Sequence, residues 1–336
     1  GVDSGFDGVF GARGSKLQLV LNSIFHLEAS PGNLSWVQYE RIAADRRVAT
    51  AVPIAVGDNY HGYRLVGVTT NLFEVEYREG KKYAVNDGYL FNPKKKQAVV
   101  GSFAADRLKL KVGDTFHPYH GLIFDENKQH AETYVVSGIM EPSNTPADRV
   151  IWIPIAGLQN MAGHNAETAS DVSAVLVKLR SKRSGMMMNQ EFNLQGDVMT
   201  FAWPIADTMS KLFNKIAPVE MVLRAVAFLV ALVAAGSILA SIYNSMNERR
   251  REIAILRALG ARRSTIFAIV VLEASGIAAL GAVAGFGVYY VIMSAAAWFI
   301  RQETGIVLNP LEFQPVMVWA PLAMLGLGAL AGLVPA

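Results

Sequence analysis

Residues 225–243 read AVAFLVALVAAGSILASIY, nineteen residues without a charge, and residues 247–264 just beyond them read NERRREIAILRALGARRS, with six arginines against Glu248 and Glu252. A hydrocarbon core is crossed by about 20 apolar residues at about 1.5 Å rise each. The first stretch therefore reads as a membrane span and the second as its polar connection. Two more apolar runs follow: 265–300, in which Glu273 is the only charge, and 316–334, VMVWAPLAMLGLGALAGLV. Three such runs separated by short polar loops point to a helical membrane domain rather than to one buried core helix.

The remainder of the 336-residue chain is different in kind. Residues 220–336 contain 8 of the 31 Lys/Arg and 6 of the 28 Asp/Glu; all the other charges lie in residues 1–219. Overall the chain is 52% apolar and 18% charged, with a mean hydropathy of +0.27, a net charge of +3 and no cysteine. Globular chains average about 25% charged residues. This composition excludes a disordered chain, a collagen-like fibre and a disulfide-stapled secreted scaffold. The expected organisation is an α+β extracytoplasmic domain over 1–203, a stalk helix over 204–221 and a transmembrane helical bundle over 222–336. Its spans fall at about 225–243, 265–300 and 316–334.

Orientation follows from the loops. Short loops rich in Arg stay in the cytoplasm, so 247–264 faces inward, 301–314 faces outward, and residues 1–219 lie outside. The opening GVDSGFDGVFGARGSKLQLV holds neither a signal-peptide core nor a span. A further membrane helix is therefore expected ahead of Gly1, and a basic tail beyond Ala336.

Within the spans, Gly281 with Gly285 and Gly328 with Gly332 have the small-residue spacing that lets helices approach closely, within one subunit or across a dimer seam. Glu273 needs a partner, since a carboxylate deep in a span costs about 2.5–3.5 kcal/mol on insertion scales. Arg224 sits at the opposite end of the preceding span, so Ser237, Ser241 or Asn244 is the expected hydrogen-bond partner. Residues 246–260 are expected to form one amphipathic helix. In it Ile253, Leu256 and Leu259 share a face, while Arg249, Arg250 and Arg257 point elsewhere. Gly260 supplies a left-handed stop and Ser264 a cap for the next helix. Such a basic helix can lie on anionic lipid, flank a span or dock on a partner.

The stretch ERRREIAILRALGARRSTIF followed by VLEASGIAALGAVAG resembles the signature of the FtsX/MacB-type permeases of ABC transporters. Glu248, Arg249, Glu252, Ile253, Leu256, Arg257, Ala258, Leu259, Gly260 and Ala261 match the family's E-R-x-x-E-I-[AG]-[IV]-L-[KR]-A-[LI]-G-A motif. The family commonly has a glutamate where Glu273 stands. The resemblance implies that residues 246–260 form a coupling helix on a separate ATPase subunit. ATP and magnesium would be bound by that subunit and no cofactor by this chain. The segments YRLVGVTTNLFEV (63–75), QAVVGSFAADRLKLKVGDTF (97–116), TYVVSGIMEPSNTPADRVIWIPIAGL (133–158) and SAVLVKL (173–179) also resemble a MacB-like periplasmic core domain. The opening GARGSKLQLVLNSIFHLEASPGNLSW departs from MacB itself, so MacB's macrolide and toxin cargo is not carried over.

Strands are expected at 48–55, 63–70, 133–139, 150–154 and 173–179, and short helices at 102–108 and 155–161. The sequence GVFGARGS at 8–15 is the nearest approach to a phosphate loop, but it lacks the Gly-Lys-Ser/Thr ending. His117, His120 and His130 raise a metal-site reading. A polar hairpin loop is the preferred account of them, and no metal ligand or catalytic residue is assigned. The resemblance implies a non-enzymatic permease in a bacterial inner membrane, paired with a second copy, with lipid, an ATPase and possible periplasmic or outer-membrane partners but no nucleic acid. Two alternatives stand beside it: a cell-division-like regulator of an outside enzyme, and a membrane-anchored metalloenzyme.

Overall fold

The computed structural model describes residues 4–161, 170–309, 311–312, 315, 317–323 and 326. The chain divides into two units, residues 1–215 with 300–307, and residues 216–299 with 308–336.

The first unit is built on a sheet. Strand β1 (Gly8–Ala12) is followed by helices α1 (Lys16–Ser23) and α2 (Trp36–Ala43). Both helices start on a serine: Ser15 Oγ accepts the Gln18 N–H, and Ser35 forms a reciprocal capping box with Gln38. Strands β2 (Val48–Tyr60) and β3 (Tyr63–Val68) form a hairpin closed by His61 and Gly62. Both turn residues are left-handed, with φ 47° and 84°, as a two-residue turn matching strand twist requires. Strands β4 (Glu76–Arg78) and β5 (Lys81–Lys82) pair separately. Then come β6 (Val85–Gly88), β7 (Gln97–Val100), α3 (Ser102–Leu108), β8 (Thr115–Phe116), β9 (Tyr119–His120) and β10 (Tyr134–Met140). The unit continues with β11 (Ile151–Pro154), α4 (Ile155–Gln159), β12 (Ala174–Leu179), α5 (Lys182–Asn189) and β13 (Met199–Ala202).

The main sheet runs β13-β1-β12-β2-β3-β11-β7-β10-β6, with β8 on β10 and β9 on β2. The β3–β11 and β7–β10 pairs are parallel and the others antiparallel. Both faces are covered. Phe10, Leu65, Val100, Ile151, Ile153, Val175 and Val177 face one core, while Val9, Val66, Val99, Trp152 and Leu176 face the other. Strands buried on both sides read as unbroken apolar runs rather than as alternation, and this is how the VIWIP and AVLVKL segments look. The five expected strands all form. The first extends five residues further, to Tyr60.

Residues 8–12, which the sequence reading compared with a phosphate loop, are a strand between β12 and β13. Its glycines answer to neighbours. A Cβ on Gly8 would lie 2.5 Å from the Phe201 ring, and one on Gly11 would lie 2.3 Å from Leu19 Cδ1. Residues 300–307 belong to the same unit: Asn144 Oδ1 accepts the Val307 N–H at 2.6 Å, and the Arg301 guanidinium lies 5.9 Å from the Phe103 ring centre.

The second unit is helical. Helix α6 (Ile205–Glu248) runs from the expected stalk into the first expected span without a break, continuing through Pro218. Short α7 (Arg250–Ala258) follows, then α8 (Arg263–Thr304). Residues 217–234 and 264–302 are long and apolar enough to cross a membrane. At about 1.5 Å per residue α8 measures about 63 Å, roughly twice a hydrocarbon core of about 30 Å. The third expected span lies largely outside the described residues, of which 317–323 are helical.

Candidate coupling site

The connector between α6 and α8 contains the residues singled out from sequence. It is not the single helix expected over 246–260. Residues 246–248 finish α6, Arg249 departs from helical torsion (φ −90°, ψ 6°), and α7 restarts at Arg250. Arg249 Nη1 donates to Glu273 Oε2 at 3.3 Å. This corrects the expected hydrogen bond from Ser237, Ser241 or Asn244; Ser237 Oγ donates instead to the Val233 carbonyl of its own helix. Arg224 pairs with Glu220 one turn earlier and stays apart from Glu273. A cation beside Glu273 neutralises it, which a hydroxyl could not, and in a span that neutralisation is what makes a carboxylate tolerable.

Helix α7 ends as expected at Gly260. The Gly260 N–H donates to the Arg257 carbonyl at 3.1 Å and the Ala261 N–H to the Leu256 carbonyl at 3.0 Å, with Gly260 at φ +96°. These two bonds and the left-handed residue between them make a Schellman motif. The expected cap on α8 is corrected. That helix begins at Arg263, and the N–H groups of Thr265 and Ile266 both reach the Arg262 carbonyl, so Ser264 lies inside the first turn.

Helix α7 itself presents mixed chemistry. Glu248, Arg251, Glu252 and Arg257 are exposed and Ile253 is half-buried. Ile255, Leu256 and Leu259 are 54%, 43% and 80% exposed, an apolar stripe that nothing in this unit covers among the described residues. The side chains of Arg250 and Arg263 lie outside the described residues.

Of the packing glycines, Gly328 and Gly332 lie outside the described residues, and Gly281 is exposed on α8. A Cβ on Gly285 would meet no described atom within 4 Å. Gly285 lines an apolar hollow of about 240 Å³ with Phe286, Tyr289, Met317 and Ala320. It makes no close backbone contact there among the described residues.

Of the histidines considered for metal binding, His117 stands apart, with its Nδ1 3.2 Å from the Glu132 carbonyl oxygen. His120 and His130 do converge, on Asp58. The sequence reading passed over Asp58, and no local signal marks it, for it precedes His120 by some sixty residues.

Comparison with known proteins bears on both units. A family described as FtsX-like permease C-terminal matches residues 224–336, and one described as MacB-like periplasmic core domain matches residues 8–192. No curated protein matches the chain. Solved structures similar to it include the following two. One is the extracellular domain of the ABC-type transporter YknZ from Gram-positive bacteria, at 16% identity and a TM-score of 0.36, covering 58% of this chain and 98% of that one. The other is the periplasmic region of MacB from Actinobacillus actinomycetemcomitans, at 12% identity and a TM-score of 0.41, covering 62% of this chain and 94% of that one. With a MacB-like periplasmic core domain ahead of an FtsX-like permease domain, the chain belongs to the FtsX/MacB-type permeases of ABC transporters.

Proposed function

We propose that this permease carries ATP-driven motion from a cytoplasmic ATPase subunit, through α6 and α8, to its sheet domain on the outer side of a bacterial inner membrane. There the motion would serve export or extraction of a substrate. ATP and magnesium belong to the partner, this chain contributes no catalytic group, and two permease copies form the working unit. The observation that carries the reading is the connector: a nine-residue basic helix with an uncovered apolar stripe, set between two membrane-length helices and ended by a left-handed glycine.

Within this reading the residues divide their work. Ile255, Leu256 and Leu259 fill a groove on the ATPase, and Arg251 and Arg257 meet acidic groups around it. Glu252 lies in the first turn of α7, where a carboxylate is favoured by the helix dipole. Arg249 is spent on Glu273 and serves the permease internally.

The test is recovery of an ABC-type ATPase with the tagged permease from native membranes, read by mass spectrometry. Arg251→Glu with Arg257→Glu should abolish that recovery while the protein still extracts and runs on gel filtration as the parent does. Undiminished recovery of the ATPase would overturn the docking role of α7.

A further inference from the structure

We propose that Asp58, His120 and His130 form a site for a zinc-class divalent cation on the outer domain. Asp58 Oδ1 lies 3.2 Å from His130 Nε2 and 3.3 Å from His120 Nδ1, and one ligand atom from each residue lies within 4.8 Å of the others. Zinc binds such atoms at about 2.0–2.2 Å in a tetrahedron, whose edges are then about 3.3–3.5 Å. Two of the three donor separations already have this length. Two imidazoles and one carboxylate suit zinc or another late first-row ion, and suit magnesium or calcium poorly.

The backbone holds the three donors in place. The β2–β3 register shifts between Val56 and Asp58, and past that bulge Asp58 pairs with His120 on β9. The next residue fixes the loop: Asn59 Nδ2 donates to the Gly121 carbonyl at 2.8 Å. The His130 N–H donates to the Pro118 carbonyl at 2.8 Å, two residues before His120. Asp58 is fully buried, His130 is 7% exposed at its side chain and His120 is 48% exposed. Two ligands are thus set in the protein and the third stands at the surface, which leaves the fourth coordination position toward solvent.

A carboxylate oxygen also stands near the outer shell of this site without bonding to it. A metal-bound histidine commonly donates its other ring N–H to a carboxylate. With His130 Nε2 on the metal, its Nδ1 faces Glu132, whose Oε2 is 4.0 Å away, about 1 Å beyond a hydrogen bond. The cation would fasten the 116–130 loop to the long β2 strand.

The full chain, purified with a tag free of histidine and stripped with chelator, should take up about one Zn²⁺ per chain by elemental analysis. Co²⁺ in its place should give the intense visible bands of a tetrahedral site. His120→Ala removes a ligand that is 48% exposed and should weaken Zn²⁺ affinity by more than about tenfold. His117→Ala should leave it unchanged. The proposal is overturned if the wild-type chain retains no zinc, as expected were the three side chains only a hydrogen-bonded cluster. It is equally overturned if His120→Ala binds as the wild type does, or if His117→Ala is the variant that loses the ion.

Discussion

Replacing Gly260 isolates one torsion angle. The residue holds φ +96°, and a Cβ added there meets nothing within 4 Å, so substitution costs no packing. The whole penalty is that of placing an L side chain in the left-handed region, about 1–2 kcal/mol for alanine. Valine, branched at Cβ, is worse than alanine there, and asparagine is better because it tolerates this region. One to two kcal/mol corresponds to a factor of about 5–30 in an opening equilibrium. The two N–H groups that close the motif, Gly260 and Ala261, report that equilibrium directly. In nanodiscs, hydrogen exchange of the full chain read over residues 255–262 should therefore rank wild type, Asn, Ala and Val in order of rising rate. Alanine should fall about 5–30-fold above wild type. A valine variant exchanging like the wild type, or an asparagine variant as labile as valine, would refute the claim that this one backbone angle sets the end of α7.

Removing Arg249 should cost more than removing both members of its pair. Arg249→Ala strands the Glu273 carboxylate, so it should unfold at lower temperature than Arg249→Ala/Glu273→Gln, with a gap of about 1–3 kcal/mol in nanodiscs. A double variant as unstable as the single one would deny the pairing. His26 should make the outer domain acid-sensitive. Burial, with Arg64 nearby, pushes its pKa from 6.5 down to about 3, so the folded state stays neutral where the unfolded chain takes up a proton. Stability is therefore full above about pH 6.5 and falls toward pH 3 by at most about 1.4 kcal/mol per unit. Urea midpoints of the wild type should drop relative to His26→Asn, which tolerates the φ of 55° at that position; parallel pH profiles would refute the assignment.

The elements legible from sequence were those whose cause is local. An apolar run bounded by turn residues gave β11 and β12 within a residue of their observed ends, and Ser102–Leu108 forms the helix expected of it. Strand β1 was illegible because its reason lies elsewhere: Gly8 and Gly11 look like loop residues until Phe201 and Leu19 are seen pressed against them. Asp58 was hidden for a related reason. Strand alternation says nothing about a side chain just past a bulge, and its partners on β9 and beyond arrive only through the sheet.

The misreading of Arg249 is the more instructive one, because it changes what the family motif can do. As one helix, residues 246–260 would carry Arg249 among the outward-facing cations, and with Arg224 at the far end of its span only the Ser237 and Ser241 hydroxyls and the Asn244 amide would be left for Glu273. A single non-helical residue at 249 undoes both steps at once: it sends the guanidinium back along α8 and stops α6 from fusing with α7. The arginine at the head of the motif is thereby occupied within the chain. On the proposed docking role, recognition of a partner would fall to the exposed remainder, Arg251, Arg257 and the Ile255–Leu256–Leu259 stripe. On the same proposal, a push on α7 would act at two points on α8, through the Gly260 turn in sequence and through the Arg249–Glu273 bond ten residues into the helix. With two attachments the short helix would then twist α8 as well as shift it along its axis. Arg249→Lys keeps the charge but loses the planar fork, and on this argument it should weaken coupling of ATP hydrolysis to function while leaving ATPase recovery intact.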